Sequence, residues 1–189
     1  VVEGVNLVSK LDLEKAKVSY HAQPAPGGVR VIAAVALTSI VEDYENAFRE
    51  AGYTPGIVMP SMLAALGAAS SERPTMIIKV DARTTSIAIL DQNQLLLFRT
   101  LENARGITIS GDQLAEEVYP SIVFFQDTYS LNIQRIFLAG LPESTSAAAA
   151  LRAQTEAEVR ELVSAGQLGT ENGTVPKWRM AGVVGALLS

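Results

Sequence analysis

Residues 75–101, TMIIKVDARTTSIAILDQNQLLLFRTL, decide how this chain is read. They contain three short apolar runs, Met76–Val80, Ile87–Leu90 and Leu95–Phe98, rich in the β-branched and large apolar side chains that suit a pleated, buried surface. Asp81 and the hydroxyl-rich stretch Ala82-Arg83-Thr84-Thr85-Ser86 separate the first two runs, and Asp91-Gln92-Asn93-Gln94 supplies a hairpin turn between the last two. The pattern predicts three consecutive β-strands. An Asp carried by a strand into a Ser/Thr hairpin can present hydroxyls and backbone N–H groups to a phosphate, and the same composition is also an ordinary way to turn a chain.

Upstream, LDLEKAKVSYHAQP (residues 11–24) reads as a short acidic turn and an alternating strand, with Val18, Tyr20 and Ala22 on one face and Ser19, His21 and Gln23 on the other. Pro24 to Gly28 turns it into a second strand, Val29–Leu37, whose unbroken hydrophobicity predicts burial on both faces. Ser39 and Glu42 have capping-box spacing for a helix reaching about Ala51. Its apolar face is Ile40, Val41, Tyr44, Ala47, Phe48 and Ala51, Glu45 and Arg49 sit four apart on its wet face, and Gly52 is placed to end it. Gly56–Met59 reads as a short strand, completing a β-β-α-β order. A small-residue helix from Met62 to about Ala69 follows, expected to pack closely on the sheet.

Downstream, Ser110 and Gln113 again have capping-box spacing, ahead of a helix with Leu114, Val118, Ile122 and Phe125 on one side. Pro120 should kink or split it. Arg135–Ala139 predicts a buried strand, Ser144–Gln154 an alanine-rich helix and Trp178–Leu188 a closing apolar helix; Glu156–Pro176 between them reads ambiguously, with Val159–Val163 compatible with a strand and Gly166–Gly173 a polar loop.

Of 189 residues, 48% are hydrophobic and 19% charged, which is a globular balance with enough chain for a real core. A net charge of −5, with no Lys/Arg stripe, argues against nucleic acid as a partner. The lack of cysteine excludes a disulfide framework, thiol catalysis and Cys-based zinc sites. No apolar run approaches the roughly 20 residues that span a bilayer, so no direct membrane insertion is expected. The chain begins without methionine, inside what reads as a folded segment, so a piece of a longer protein is expected.

His21, the only histidine, lies on the polar side of a predicted strand, which favours an exposed histidine over a triad member. With one His and no Cys, only a carboxylate site for a hard cation is left, and no EF-hand spacing occurs. Glu116 and Glu117 are adjacent on a helix and point apart, so they are not a paired acid and base. GxGxxG and GxxxxGK[ST] are both absent. Neither catalytic residues nor metal ligands are assigned. Two strand-to-turn junctions remain, Asp81 with Thr84, Thr85 and Ser86, and Ala139-Gly140-Leu141-Pro142 after RIFL.

The order of elements around those junctions resembles the actin-like ATPase superfamily in its pilus-assembly branch, the PilM proteins and the related cytoplasmic domains of GspL proteins. The resemblance rests on LDLEKAKVSYHAQP, VIAAVALTSIVEDYENAFREAGYTPGIVMPSMLAALGA, IIKVDARTTSIAILDQNQLLLFRTL, ITISGDQLAEEV, IQRIFLAG and AGVVGALL. It implies an α/β chain with a partial actin-like (ribonuclease H-like) fold, in which residues 1–59 form a small inserted β-β-α-β subdomain and residues 60–189 the subdomain around 75–101. It also implies a phosphate loop at Asp81, Arg83, Thr84 and Thr85, and an adenosine contact at Gly140. Arg83 stands where the family has a loop glycine and Leu141 where it has a second glycine. A long side chain at the phosphate and a leucine where a nucleoside should lie both argue against tight nucleotide binding. A guanidinium could itself pair with phosphate, so Arg83 is read both as a phosphate contact and as a surface or salt-bridging arginine. The family's first phosphate loop, Asp-x-Gly, occurs nowhere in the chain.

The resemblance implies a cytoplasmic, non-catalytic scaffold at the inner face of the inner membrane, in a type IV pilus or related secretion platform. Its partner would be a short cytoplasmic peptide of a PilN-like inner-membrane protein, with homo-oligomerisation open. No cofactor is expected for this chain, and ATP with Mg²⁺ only for a full-length protein. The alternatives are an ATP-dependent relative of pilus or cell-division type, and a sugar kinase-like enzyme, for which no glycine-rich sugar loop is present.

Overall fold

The computed structural model describes residues 13–164 and 175–188, so the expected polar loop at Gly166–Gly173 lies outside the described residues. The chain divides into two units between Met59 and Pro60.

In the first unit a single 3₁₀ turn, Leu13–Lys15, leads into strand β1 (Ala16–Ala25), which pairs antiparallel with β2 (Gly28–Leu37). Both strands are longer than their apolar runs. Pro24 is inside β1, and Pro26-Gly27 makes the turn, with the proline ring fixing its own φ and Gly27 at φ +81°. β2 passes directly into helix α1 (Thr38–Glu50). The expected Ser39/Glu42 capping box does not form, because the N-cap is Leu37 and Ser39 already stands inside the first turn. The other end is as read. Gly52, at φ +86°, donates to Arg49 O (2.9 Å) and Tyr53 N donates to Phe48 O (2.9 Å), the two bonds of a Schellman stop. Glu45 and Arg49 pair at 2.8 Å.

Two expectations fail in this unit. Val29–Leu37 is not buried on both faces, since β2 is exposed to half-buried throughout and no residue of α1 is buried. Hydrophobicity records what a strand can bury, and a two-stranded ribbon with one helix has too little chain to cover both of its faces. Gly56–Met59 forms no strand and has no ladder partner among the described residues, and Ile57 is 77% exposed. The observed order is therefore β-β-α followed by an irregular segment.

The second unit is built on a five-stranded mixed sheet. Its strands are β3 (Thr75–Val80), β4 (Thr84–Asp91), β5 (Gln94–Glu102), β6 (Arg135–Ala139) and β7 (Glu158–Glu161), in spatial order β5-β4-β3-β6-β7. β4 runs antiparallel to both of its neighbours, while β3, β6 and β7 are parallel. Counting from β3, this is order 3-2-1-4-5 with the second strand reversed, the ribonuclease H-like arrangement expected from the sequence. Gln92 and Asn93, at φ +48° and +60°, make a two-residue type I′ turn, held by Asn93 N donating to Ser71 O (3.0 Å). A bulge follows in β5, where Leu96 has no partner in the ladder, and Tyr129 Oη donates to its carbonyl (3.1 Å).

One sheet face, through Met76, Ile78, Val80, Ile87, Ile89, Ile136 and Leu138, packs on helices α3 (Gly111–Tyr129) and α4 (Thr145–Gln154). Each such side chain contributes about 1.5–3 kcal/mol on burial. The Ser110/Gln113 capping box is present. Pro120 does not split α3, because it sits on the exposed face, where water can satisfy the carbonyl that loses its donor.

The opposite face carries Ile77, Lys79 and Ala88. Helix α2 (Ser61–Leu66) lies there, and Lys79 Nζ donates to Ser61 Oγ (3.1 Å). The closest neighbour of α2 is the last helix, α5 (Ala181–Leu188), which follows a 3₁₀ turn at Lys177–Arg179. A Cβ on Gly185 would collide with the Ala64 carbonyl oxygen and stand 2.8 Å from Ala65 Cα, whereas one on Gly182 would come no nearer than 3.3 Å to Ser61 O. Both glycines are helical, where alanine is intrinsically better by about 1 kcal/mol. Space decides the outcome. Gly185→Ala should destabilise the chain by about 2 kcal/mol or more in urea unfolding, while Gly182→Ala should stay within about 1 kcal/mol of the parent.

Candidate functional site

β3 and β6 run parallel in register, Lys79 beside Ala139, and deliver their next residues to one end of the sheet. A cleft of about 450 Å³ opens there, lined by Lys79–Ala82, Arg105–Ile107, Gly140 and Trp178–Arg179. That volume suits a small molecule, and the carboxyl ends of parallel strands are where α/β sheets place ligands.

Two glycines shape it by close approach. Gly140, at φ +82°, passes so near Val80 that an added Cβ would overlap its carbonyl oxygen and lie 2.8 Å from its carbonyl carbon. Gly106, at φ +53°, approaches Ala82 in the same way, 3.0 Å from Ala82 C. Asn103, fully buried, fixes that second turn. Its Oδ1 accepts from Arg105 N (3.0 Å) and Gly106 N (2.9 Å), while its Nδ2 donates to Thr85 Oγ1 (3.0 Å) and Gly106 O (3.2 Å). Its own backbone N donates to Arg83 O (2.7 Å), tying the end of β5 to the β3–β4 turn.

The remaining wall comes from far along the chain. Gly140 N donates to Trp178 O (3.1 Å), and Lys177 Nζ pairs with Glu161 at the end of β7 (2.7 Å). The Arg179 guanidinium lies 4.6 Å from the centre of the Trp178 ring. The hydrogen bond from Lys177 holds the Glu161 carboxyl below the usual carboxylate value. Partial burial works the other way, and Ser144 Oγ (2.8 Å) adds to the lowering.

Charge in the cleft is one-sided. Lys79, Arg105 and Arg179 face a single lining carboxylate, Asp81. Lys79 is only 6% exposed and forms an ion pair with Asp81 besides its bond to Ser61.

Of the residues singled out from the sequence, Asp81 and Gly140 line the cleft together. Thr84 and Thr85 belong to β4 and not to the turn. The ladder continues to Val80–Thr85, so Thr85 is fully buried against Asn103 and Thr84 O accepts from Asp81 N (2.8 Å). Arg83 is exposed at the hairpin tip, outside the lining. Leu141, expected where a nucleoside would lie, is buried in the core beside α3 and α4, because positive φ at Gly140 turns the chain inward. Lys79, Asn103, Arg105, Gly106, Trp178 and Arg179 were missed. The signal available for Lys79 was a lone lysine inside IIKV; the others carry no local pattern.

Mg-ATP, which the resemblance implies, fits this cleft only in part. The cations and the volume suit phosphate, but a divalent cation needs oxygen ligands, and the one lining carboxylate is held by Lys79. Among the described residues no group of three His, Cys, Asp or Glu could hold a metal ion.

No family model matches the sequence, and no curated protein matches it either. Among solved structures, the fold matches one from a PilM-PilN type IV pilus biogenesis complex at TM-score 0.71, with 18% identity, over 97% of this chain and 69% of that one. A Bacteroides thetaiotaomicron protein with an actin-like ATPase fold and unknown function matches at TM-score 0.44, with 13% identity, over 84% of this chain and 60% of that one. An AlfA filament bound to AMPPNP matches at 0.42, with 16% identity, over 65% and 40%.

Asn103→Ala removes four side-chain hydrogen bonds and leaves the Arg105 amide and the buried Thr85 hydroxyl without their partner. It should cost about 2–4 kcal/mol in denaturant unfolding. The Lys177–Glu161 tether gives an acid-labile wall. Because the Glu161 carboxyl is lowered on folding, its contribution is complete above its unfolded value and is lost as pH falls through the folded one. Emission of Trp178, the only tryptophan, should therefore change with a midpoint below pH 4.5, and Glu161→Gln should remove that transition.

Proposed function

We infer that this chain is a non-catalytic scaffold of a type IV pilus or related secretion assembly platform, working in the cytoplasm at the inner face of the inner membrane. Its partner is a short cytoplasmic peptide of a PilN-like inner-membrane protein. The observation that carries the reading is the fold match to the PilM-PilN type IV pilus biogenesis complex over 97% of this chain. Two features of the chain support it. Asp81, the strand-end carboxylate, is committed to Lys79, which favours a structural role for the cleft over metal-assisted hydrolysis. In the first unit, Ile40, Tyr44 and Phe48 keep one apolar face of α1 in solvent, the kind of surface a peptide can cover. No helix among the described residues is long and apolar enough to cross a membrane, so attachment through a membrane partner is consistent with the chain.

The cleft also favours a second reading, a nucleotide-binding actin-like ATPase whose site is completed by further chain. Catalysis separates the two, since a scaffold releases no phosphate from Mg-ATP above the blank rate. The first reading is tested by calorimetric titration with the cytoplasmic peptide of a PilN-like protein. Micromolar binding, about −8 kcal/mol, is expected. Phe48→Ser should weaken it about tenfold or more while leaving the unfolding midpoint within about 0.5 kcal/mol of the parent, because that ring is 54% exposed. Absence of binding by the parent chain would sink the scaffold reading.

A further inference from the structure

We propose that the amino-terminal end of the five-stranded sheet carries a docking site for a carboxylate-rich peptide segment of a protein partner, built from Arg73, Arg135 and Arg160 around Glu158. Along the β6–β7 ladder Arg135 stands opposite Glu158, and Phe137 opposite Arg160. Ile136, Leu138 and Val159 alternate with them and belong to the core under α3 and α4, so these four side chains share the other face of the sheet. Arg73, two residues ahead of β3, reaches the same spot. Its Nη2 donates to Glu158 Oε2 (2.7 Å), Arg135 Nε donates to the same oxygen (3.4 Å), and Arg160 Nη2 pairs with Glu158 Oε1. Three guanidiniums thus share one carboxylate, an excess of two positive charges in the cluster on a chain of net charge −5. Such an excess attracts anionic partners.

One carboxylate uses few of the donors gathered there. A guanidinium has five N–H groups, and each of these three makes a single polar contact among the described residues, to Glu158. Glu72 and Glu156, the acidic residues nearest in sequence, pair with none of them among the described residues. The arginines are also held in place. Gln134 N and Arg135 N donate to Pro74 O (2.9 and 3.3 Å), Thr75 Oγ1 donates to Arg73 O (2.7 Å), and the Arg135 guanidinium lies 5.6 Å from the centre of the Phe137 ring. Little ordering is then left to be done on binding.

The arrangement of the cluster narrows the ligand. Glu158 already fills the point where the guanidiniums converge, so a single compact anion finds no centre. The open donors lie on Arg73 and Arg160, whose side chains are 40% and 65% exposed and bind different oxygens of Glu158. That division suits two carboxylates spaced along a peptide, each taken by one guanidinium fork. β7 is the last strand of the sheet, yet Arg152 Nη2 from α4 donates to Val159 O (2.7 Å) on its outer edge. Recognition therefore falls to side chains and not to addition of a further strand. This inference is independent of the scaffold reading, because it invokes only the second unit, whereas that reading places its contact on α1.

The test is calorimetric titration of the whole chain with N-acetylated hexaglutamate at low salt, and with inorganic phosphate for comparison. Saturable binding of the peptide that fades as salt is added is expected, with phosphate much weaker. Arg160→Glu should weaken it about tenfold or more, whereas Arg83→Glu and Arg105→Glu, the same change of charge at the other end of the sheet, should stay within about twofold. Glu158→Gln gives the sharper readout. Removing the carboxylate that competes for the same donors should tighten binding about threefold or more, a gain that a purely structural ion pair would not give. Phe48→Ser should leave binding unchanged. The proposal is overturned by silence up to millimolar peptide, by phosphate binding as tightly as the peptide, by a loss in Arg83→Glu, Arg105→Glu or Phe48→Ser as large as that in Arg160→Glu, or by unchanged or weaker binding in a folded Glu158→Gln. Arg160 is exposed, so its variant keeps the test decisive even if Glu158→Gln folds poorly.

Discussion

A methyl group does not fit between Gly140 and the carbonyl of Val80. β3 and β6 run side by side to this point, and the chain can leave β6 only through a left-handed residue in contact with the end of β3. Glycine alone meets both demands, since it has no Cβ to clash and no penalty at positive φ. Everything at this end of the sheet follows from that passage. Leu141 is turned into the core, Gly140 N is left facing Trp178 O, and residues 79–82 and 178–179 become opposite walls of one cleft.

Lys79 gives that cleft its character. A buried ammonium is costly unless its donors are met, and here a serine from α2 and the carboxylate just past the end of its own strand meet two of them. The arrangement works in both directions, because the lysine is retained by Asp81 and Asp81 is no longer a free oxygen ligand. A strand-end aspartate that reads as part of a phosphate loop thus becomes half of an ion pair. The cleft's net charge is then set by Arg105 and Arg179.

The two units differ in how far their hydrophobicity is used. In the second, the alternation along β3 and β4 sorts Met76, Ile78, Ile87 and Ile89 to α3 and Ile77 and Ala88 to the other face, and all are buried. In the first, a ribbon and one helix leave Tyr20, Val29, Tyr44 and Phe48 more than half exposed. The same apolar periodicity that builds a core in one unit leaves a contact surface in the other, because burial needs a second layer.

The sequence by itself determined the elements whose signals are local. The strands of residues 75–101, the Gln92–Asn93 hairpin, the Ser110/Gln113 cap, the Gly52 stop and strand Arg135–Ala139 are each written within a few residues, in periodicity, turn chemistry or caps. Within the candidate site, Asp81 and Gly140 were legible because each ends a recognisable strand. Lys79, Asn103 and Trp178 were not, since their roles come from neighbours about 16 to 38 positions away: Ser61 for Lys79, Thr85 for Asn103, and Glu161 and Gly140 for the Lys177–Trp178 segment. Tertiary structure alone decided that Thr85 is buried, that Arg83 stays outside the cleft, that Gly56–Met59 finds no ladder, and that α2 packs on α5. The reason is physical: conformational preference is set by the nearest few residues, whereas burial, ion pairing and close approach depend on which distant segment arrives at the same place.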